Sequence, residues 1–311
     1  MTPAEGSPPA LVAYADQKHN IRAKAIELGI PVAAGEVVTL PHAGGRRRRD
    51  YDALRAAVER HMHATGQAIV RGAQGAAGAA TFVVGGRGED VDGLLRRLGQ
   101  RHDNHIYLVE VLVEATVSPH VQLHIASEDG PITCLGVTDQ RWERPFVHGG
   151  NIYPTTVRGV PAMLDWSHRL AQWFQAEGYA GHLGLDFVEY EGAHREVCTL
   201  LAEVHPRSDG ATAPLEVLAS RNATQRAEGR PESGAFVSGA IDFGPGGAGR
   251  LMETGSAFLY APATGRGLLV SEVNGRGPDR RDVVVLGSSR DDVLRAWGEL
   301  QTWCRRGSRG G

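Results

Sequence analysis

A carboxylate inside an apolar strand is the feature that most narrows what this chain can fold into. The run "GHLGLDFVEY" at 181–190 sets Asp186 among Leu185, Phe187 and Val188, and burying a lone carboxylate there would be costly. A second run, "LLAEVHPRSDG" at 200–210, begins apolar and then carries Glu203, His205 and Arg207 at alternate positions. Side chains of a strand alternate between faces, so these three project together while Val204 and Pro206 turn the other way. Between the runs, "EGAHRE" at 191–196 reads as a turn centred near His194 and Arg195, which sets Asp186 roughly opposite Glu203. Facing carboxylates are disfavoured unless a cation or a proton sits between them. A divalent metal with oxygen ligands meets that need; so does a pair of solvated or arginine-paired acids on an ordinary hairpin.

The rest of the chain reads as one globular unit of two or three subdomains, since 311 residues at 41% hydrophobic and 22% charged can bury an ample core. A formal charge of −3 gives no general electrostatic reason to bind nucleic acid or an anionic membrane. The basic run "GGRRRRD" at 44–50 is flanked by glycine and reads as a solvated loop. Three separated cysteines, Cys134, Cys198 and Cys304, show no metal-type spacing. With no stretch that reads as a leader or a membrane span, they imply a reduced, soluble, cytoplasmic protein.

Within 16–32 periodicity predicts a helix opened by Asp16 and stopped by Gly29, with an extended segment behind Pro31, and another helix over 50–66. "QAIVRGAQGAAGAATFVVGG" at 67–86 reads as strand, small-residue flap, strand. A helix near 89–98, an apolar strand at 105–114 carrying Glu110, paired strands in "HVQLHIAS" and "PITCLGVT", and a helix at 163–178 follow. Past about 223 the composition turns glycine-rich, and a hairpin with a closing helix reads as a separate C-terminal subdomain. "GPGGAG" at 244–249 fits a dinucleotide fingerprint in form only, because Pro245 and the lack of an amphipathic helix after it argue for a loop. No P-loop, nucleophile elbow or H-E-x-x-H motif occurs, and "HMH" at 61–63 reads as helix surface.

The order of these parts resembles the ATP-grasp superfamily of carboxylate–amine ligases: a D-x-K helix, a flap between strands, an E-x-x-V strand, then G-L-D-F-V and E-V-H-P-R. The resemblance runs from about Asp16 to Leu218, and the tail is similar to that of pheganomycin-type peptide ligases. It implies an α+β fold of two lobes with antiparallel sheets clasping ATP, plus a small C-terminal α+β subdomain. The divisions expected are 1–66 as helical segment and linker, 67–113 as small lobe, 114–222 as large lobe and 223–311 as C-terminal subdomain. Only some fifteen residues precede Asp16, so the family's usual N-terminal Rossmann-like domain is expected to be absent: either the chain is truncated, or a partner chain or a homodimer supplies that surface.

Residue by residue, the resemblance implies that Lys18 and Arg71 are the phosphate cations, with arginine standing where lysine is usual. Gly75 and Gly78 would lie in the flap, Glu110 and Val113 at the adenine hinge, and His120 on the nucleotide side. Asp186 and Glu203 match the Mg²⁺ carboxylates, and His205 stands where an asparagine oxygen is usual, which introduces Mn²⁺ as an alternative. Arg207 matches the catalytic arginine that steadies an acyl phosphate. Arg141, Arg144 and His148 in "DQRWERPFVHGG" are candidate substrate contacts. The implied activity is an ADP-forming ligase that joins a small-molecule acid to an amine, an amino acid or peptide, in specialised metabolism. The alternatives are a catalytically degenerate nucleotide-binding subunit that regulates or scaffolds, and an ATP-grasp phosphotransferase.

Overall fold

The computed structural model describes residues 7–41, 51–75, 80–86, 88–101, 104–244, 246–271 and 279–307. Gly78 and the basic run at 44–50 lie outside the described residues. In chain order the elements are α1 (Pro9–Ala15), α2 (Lys18–Glu27), β1 (Gly35–Thr39), α3 (Asp52–Thr65), β2 (Gln67–Gly72), β3 (Thr81–Gly85), α4 (Val91–Arg101), β4 (Ile106–Glu110), β5 (Ala115–Val117), β6 (Pro119–Ile125), β7 (Ile132–Arg144), β8 (Val147–Tyr153), α5 (Val160–Ala176), β9 (Gly181–Glu191), β10 (Val197–His205), α6 (Thr212–Ala227), β11 (Ala235–Asp242), α7 (Gly247–Thr254), β12 (Gly267–Val270), β13 (Arg280–Gly287) and α8 (Arg290–Gly307). None of the described helices is long and apolar enough to cross a membrane.

The elements fall into two compact units. The first comprises residues 1–133, 145–147 and 158–207. It contains an antiparallel sheet in the order β1-β4-β2-β3. Strands β2 and β3 alternate buried and half-buried positions along their length, the period-2 pattern of a sheet with one covered face. Val70, Phe82, Val84 and Val109 meet Leu54 and Val58 of α3 and Leu94 and Leu98 of α4 in one core. In the same unit β10, β9 and β6 run antiparallel side by side, with β5 also on β9. Helix α5 packs on β6 and β9 through a face that includes Leu170 and Phe174. Its start is fixed by buried Glu189, whose carboxylate accepts the amides of Arg158 and Gly159 at 2.9 and 3.0 Å, a favourable placement of negative charge at a helix N-terminus.

The second unit gathers residues 134–144, 148–157 and 208–311. Here β11 pairs antiparallel with β8 on one side and β13 on the other, and β12 closes the edge of β13. One face buries Val237, Ile241, Val283 and Val285 against Leu251 of α7 and Trp297 and Leu300 of α8. The opposite face sets Phe236 and Leu286 against Leu215 and Leu218 of α6.

Two local readings change. The Pro-rich start is helical over α1, since proline is tolerated in a first turn whose N–H groups lack partners anyway. Asp16 is therefore the C-cap of α1, and Gln17 in extended geometry opens α2. The glycine-rich 244–249 stretch leads into α7 through Gly246, whose φ of +70° suits a residue without Cβ.

Helix α8 starts with reciprocal bonds. The amide of Asp292 donates to Ser289 Oγ at 3.3 Å, while the Asp292 carboxylate accepts the Ser288 amide and hydroxyl, both at 3.0 Å. This is a capping-box arrangement. The Ser288 amide holds the Asp292 carboxyl below its usual value, with help from the Ser288 hydroxyl and Arg266. A group with a depressed folded-state pKa adds stability above its unfolded pKa and loses it as pH falls through the folded one. Asp292→Ala should therefore cost about 1 kcal/mol at pH 7, measured by urea unfolding. The gap between wild type and variant should close as pH falls below about 4.

Candidate functional site

Three neighbouring strands carry the site in two rows. The register pairs Glu203 of β10 with Asp186 of β9, and Asp186 with His120 of β6. The adjacent row is His205, Gly184 and Gln122. Glycine at the centre of that row leaves the space above it to the flanking imidazole and amide. The facing of Asp186 and Glu203 is the one the sequence predicts, yet a bulge produces it. Leu201 pairs with Phe187 and Glu203 with Asp186, so Ala202 is the extra residue. The freed carbonyl of Ala202 accepts Arg71 Nη1 at 2.8 Å.

Asp186 is held from both sides. His120 Nδ1 stands 2.6 Å from its Oδ1 and His205 Nε2 stands 3.0 Å from its Oδ2. Arg207 Nη2 lies 3.4 Å from His205 Nδ1. Burial alone would raise the Asp186 pKa, but His205 and His120, by charge and hydrogen bond, hold the carboxyl far below the usual carboxylate range. Gln122 Oε1 lies 3.2 Å from His120 Nε2 and, with its own amide donated to the Leu123 carbonyl, extends the chain inward. At the outer end Arg207 Nη1 donates to Asp16 Oδ1 at 2.8 Å. Strand β10 itself ends at His205, and Arg207 follows in the turn.

Lys18 reaches the same row from α2. Its main-chain amide donates to the Ala73 carbonyl, anchoring the first turn of the helix on the end of β2. Its Nζ lies 3.0 Å from Glu203 Oε1 and donates to the Gly75 carbonyl at 3.0 Å. At Gly75 φ is +156°, and a Cβ there would come within 2.7 Å of the Ala80 Cβ, so glycine is required. Beside Lys18, Glu110 is buried between two guanidinium groups. Arg71 gives it Nε and Nη2 at 2.8 and 2.6 Å, and Arg22 gives it Nη1 at 2.9 Å. Two arginines over one carboxylate leave one net positive charge. Arg22, Lys18, Arg71, Glu110, Leu201 and Glu203 line one cleft of this unit.

One oxygen each from Asp186 and Glu203 and a nitrogen of His205 lie within 4.8 Å of one another, a donor set that fits a divalent ion. To accept one, Glu203 must part from Lys18, and His205 must give up its bond to Asp186.

Of the other residues singled out from sequence, Val113 lies half-buried just beyond β4. Arg141, Arg144 and His148 belong to the second unit, where Arg144 and His148 are exposed and Arg141 stacks on Trp297. Sequence reasoning missed Asp16, Arg22 and Gln122. Arg22 was within reach, one helical turn from Lys18 on the same face; Gln122 could have been read as the strand neighbour of His120.

No protein-family model and no curated protein matches the chain. Solved structures do. An N5-carboxyaminoimidazole ribonucleotide synthetase in its ADP complex superposes with a TM-score of 0.66 at 13% identity, over 96% of this chain and 74% of that one. The N5-carboxyaminoimidazole synthase of Aspergillus clavatus, bound to ADP and its aminoimidazole ribonucleotide, gives 0.65 at 12% identity, over 97% and 76%. The biotin carboxylase domain of the Hydrogenobacter thermophilus 2-oxoglutarate carboxylase, with MgADP and bicarbonate, gives 0.59 at 12% identity, over 91% and 64%. The chain has the ATP-grasp fold, built of antiparallel sheets and helices.

Removing one member of a buried ion group leaves the rest uncompensated. Glu110→Ala should destabilise the protein by about 3–5 kcal/mol, because Arg22 and Arg71 then face each other without a counter-charge. Denaturant unfolding measures it; a loss below about 1 kcal/mol would mean that solvent already screens the pair.

Proposed function

We propose that the chain is an ADP-forming, ATP-dependent ligase that activates a carboxylate as an acyl phosphate and joins it to an amine, giving a peptide-like amide in specialised metabolism. The observation that carries this reading is the convergence of Glu203, Asp186 and His205 on β9 and β10 with Lys18 reaching in from α2 and Arg207 from the turn after β10. MgATP, when bound, would supply the phosphoryl group and the charge of the metal ion. Asp186 and Glu203 would hold that ion, and His205 would add a nitrogen donor that tilts the site toward Mn²⁺. Lys18, released from Glu203, is the ammonium that would move to phosphate oxygens. The net charge of the Arg22–Glu110–Arg71 group favours anionic phosphate nearby. Val113 would meet the adenine, and Gly75 and Gly78 would belong to the phosphate loop.

Arg207 is the candidate catalytic group. It is held on one side by Asp16 and on the other by His205, so its guanidinium plane is fixed before charge develops. A preorganised donor of this kind lowers the barrier more than a mobile one.

A second reading, a nucleotide-binding subunit with a regulatory or scaffold role, is favoured by Arg71. Its Nε and both terminal nitrogens are engaged by Glu110 and Ala202, so it stands less free for phosphate than a lysine would. The two readings part at turnover. The ligase should release ADP, phosphate and amide in equal amounts with a matched acid and amine. Arg207→Ala should keep ATP affinity, measured by calorimetry, and lose roughly a hundredfold or more in turnover. ATP binding without phosphate release across acid and amine pairs would favour the regulatory subunit.

A further inference from the structure

The second unit contains a half-buried guanidinium that no carboxylate among the described residues pairs with. Arg141 of β7 lies over the indole of Trp297 of α8, 4.3 Å from the ring centroid. Its Nη1 donates to the Ser238 carbonyl at 3.0 Å. Burial pushes its pKa down, and no carboxylate among the described residues pairs with it. Other arginines of this unit are treated differently. Arg290 is paired with buried Asp139 at 2.8 Å, and Arg280 with Glu143. Arg250 stacks likewise on Trp303 and donates Nη2 to the Phe243 carbonyl at 3.0 Å, but its Nε is sealed from solvent with no partner among the described residues.

Glycines make the slot. Gly239 has φ of +153°, and a Cβ there would stand 2.3 Å from the Gly149 carbonyl and 3.1 Å from Arg141 Nη1. Gly150, with φ of +130°, would place a Cβ 1.9 Å from the Ser238 carbonyl. The guanidinium can therefore lie close against the main chain of β8 and β11, with Trp297 across it. Nη1 is taken by Ser238, which leaves the Nε–H and Nη2–H edge with no partner among the described residues. That edge is a fork of two parallel donors, the geometry that matches two oxygens of one carboxylate. Taking a charge out of water without a counter-ion is costly, and an arriving anion recovers that cost.

We propose that Arg141 anchors a carboxylate-binding site in the second unit, with Trp297 fixing the plane of the fork and the Ser238 carbonyl fixing its rotation. One guanidinium carries one charge, which suits a carboxylate monoanion; a phosphate near its dianionic state would be left undercompensated. The site holds the free carboxylate of a small molecule, and it stands whether or not the chain is a ligase, since no nucleotide contact enters the argument.

The test is the arginine Nε–Hε spectrum of the full chain labelled with ¹⁵N-arginine. The peak missing from Arg141→Lys belongs to Arg141; should that variant not fold, the peak displaced by Trp297→Phe identifies it through the altered ring current. Titrated acetate should move this peak saturably with an affinity in the millimolar range, while sodium chloride at equal ionic strength leaves it in place. Inorganic phosphate should bind at least about threefold more weakly than acetate, and Trp297→Leu should weaken acetate by at least about threefold, the factor expected for a stacking contact of this kind. A peak that does not move, moves equally in chloride, or responds more tightly to phosphate overturns the proposal.

Discussion

The carboxylate of Asp186, gripped from opposite sides by His120 and His205, is the constraint on which the rest of the site depends. In an apolar strand it can stay ionised only because two imidazoles and their hydrogen bonds outweigh desolvation. That requirement fixes the rotamer of His205, which in turn meets Arg207, which meets Asp16 at the junction of α1 and α2. The same junction delivers Lys18 to Glu203. The half-buried Asp186 carboxylate thus ties three strands and two helices into one arrangement.

The charged groups around the cleft of the first unit each have an opposite partner. Lys18 faces Glu203, Arg71 and Arg22 share Glu110, and Arg207 faces Asp16. Side chains at Glu110, Arg22 and Arg71 are 2%, 11% and 14% exposed, against 30% for Glu203 and 48% for Asp16. The first group is therefore architecture, because separating buried ions costs more than any single contact returns. In the other two pairs Glu203 and Asp16 keep one side in contact with solvent, which weakens the pair, although Lys18 itself is only 8% exposed. Function, on this view, lives in these two pairs and rests on the fixed one.

Much of this was legible in the sequence, and the reasons are local. Alternation along 181–190 and 200–207 with a polar turn between them set Asp186 and Glu203 roughly opposite on paired strands, although a regular register would have put Ala202 against Asp186 and the bulge completes the facing. The bulge at Ala202 was not legible, since no glycine or proline marks it and the group that takes up its carbonyl, Arg71, is 131 residues away. Asp16 escaped for the same reason, with Arg207 separated from it by 191 residues. Helix α1 was hidden by its prolines, whose effect changes sign between the first turn of a helix and its interior. Single-strand pattern reports which residues share a face; it does not report which distant backbone carbonyl or carboxylate completes them.

The central claim is that the Asp186 row is a centre for a divalent ion and a nucleotide. Diffraction from crystals grown with Mn²⁺ and a non-hydrolysable ATP analogue, collected to show the anomalous signal of manganese, tests it directly. The account predicts an anomalous peak within bonding distance of carboxylate oxygens of Asp186 and Glu203, with Lys18 Nζ moved from Glu203 to a phosphate oxygen. An ordered nucleotide whose manganese lies away from both carboxylates, with the Lys18–Glu203 pair intact, would contradict it.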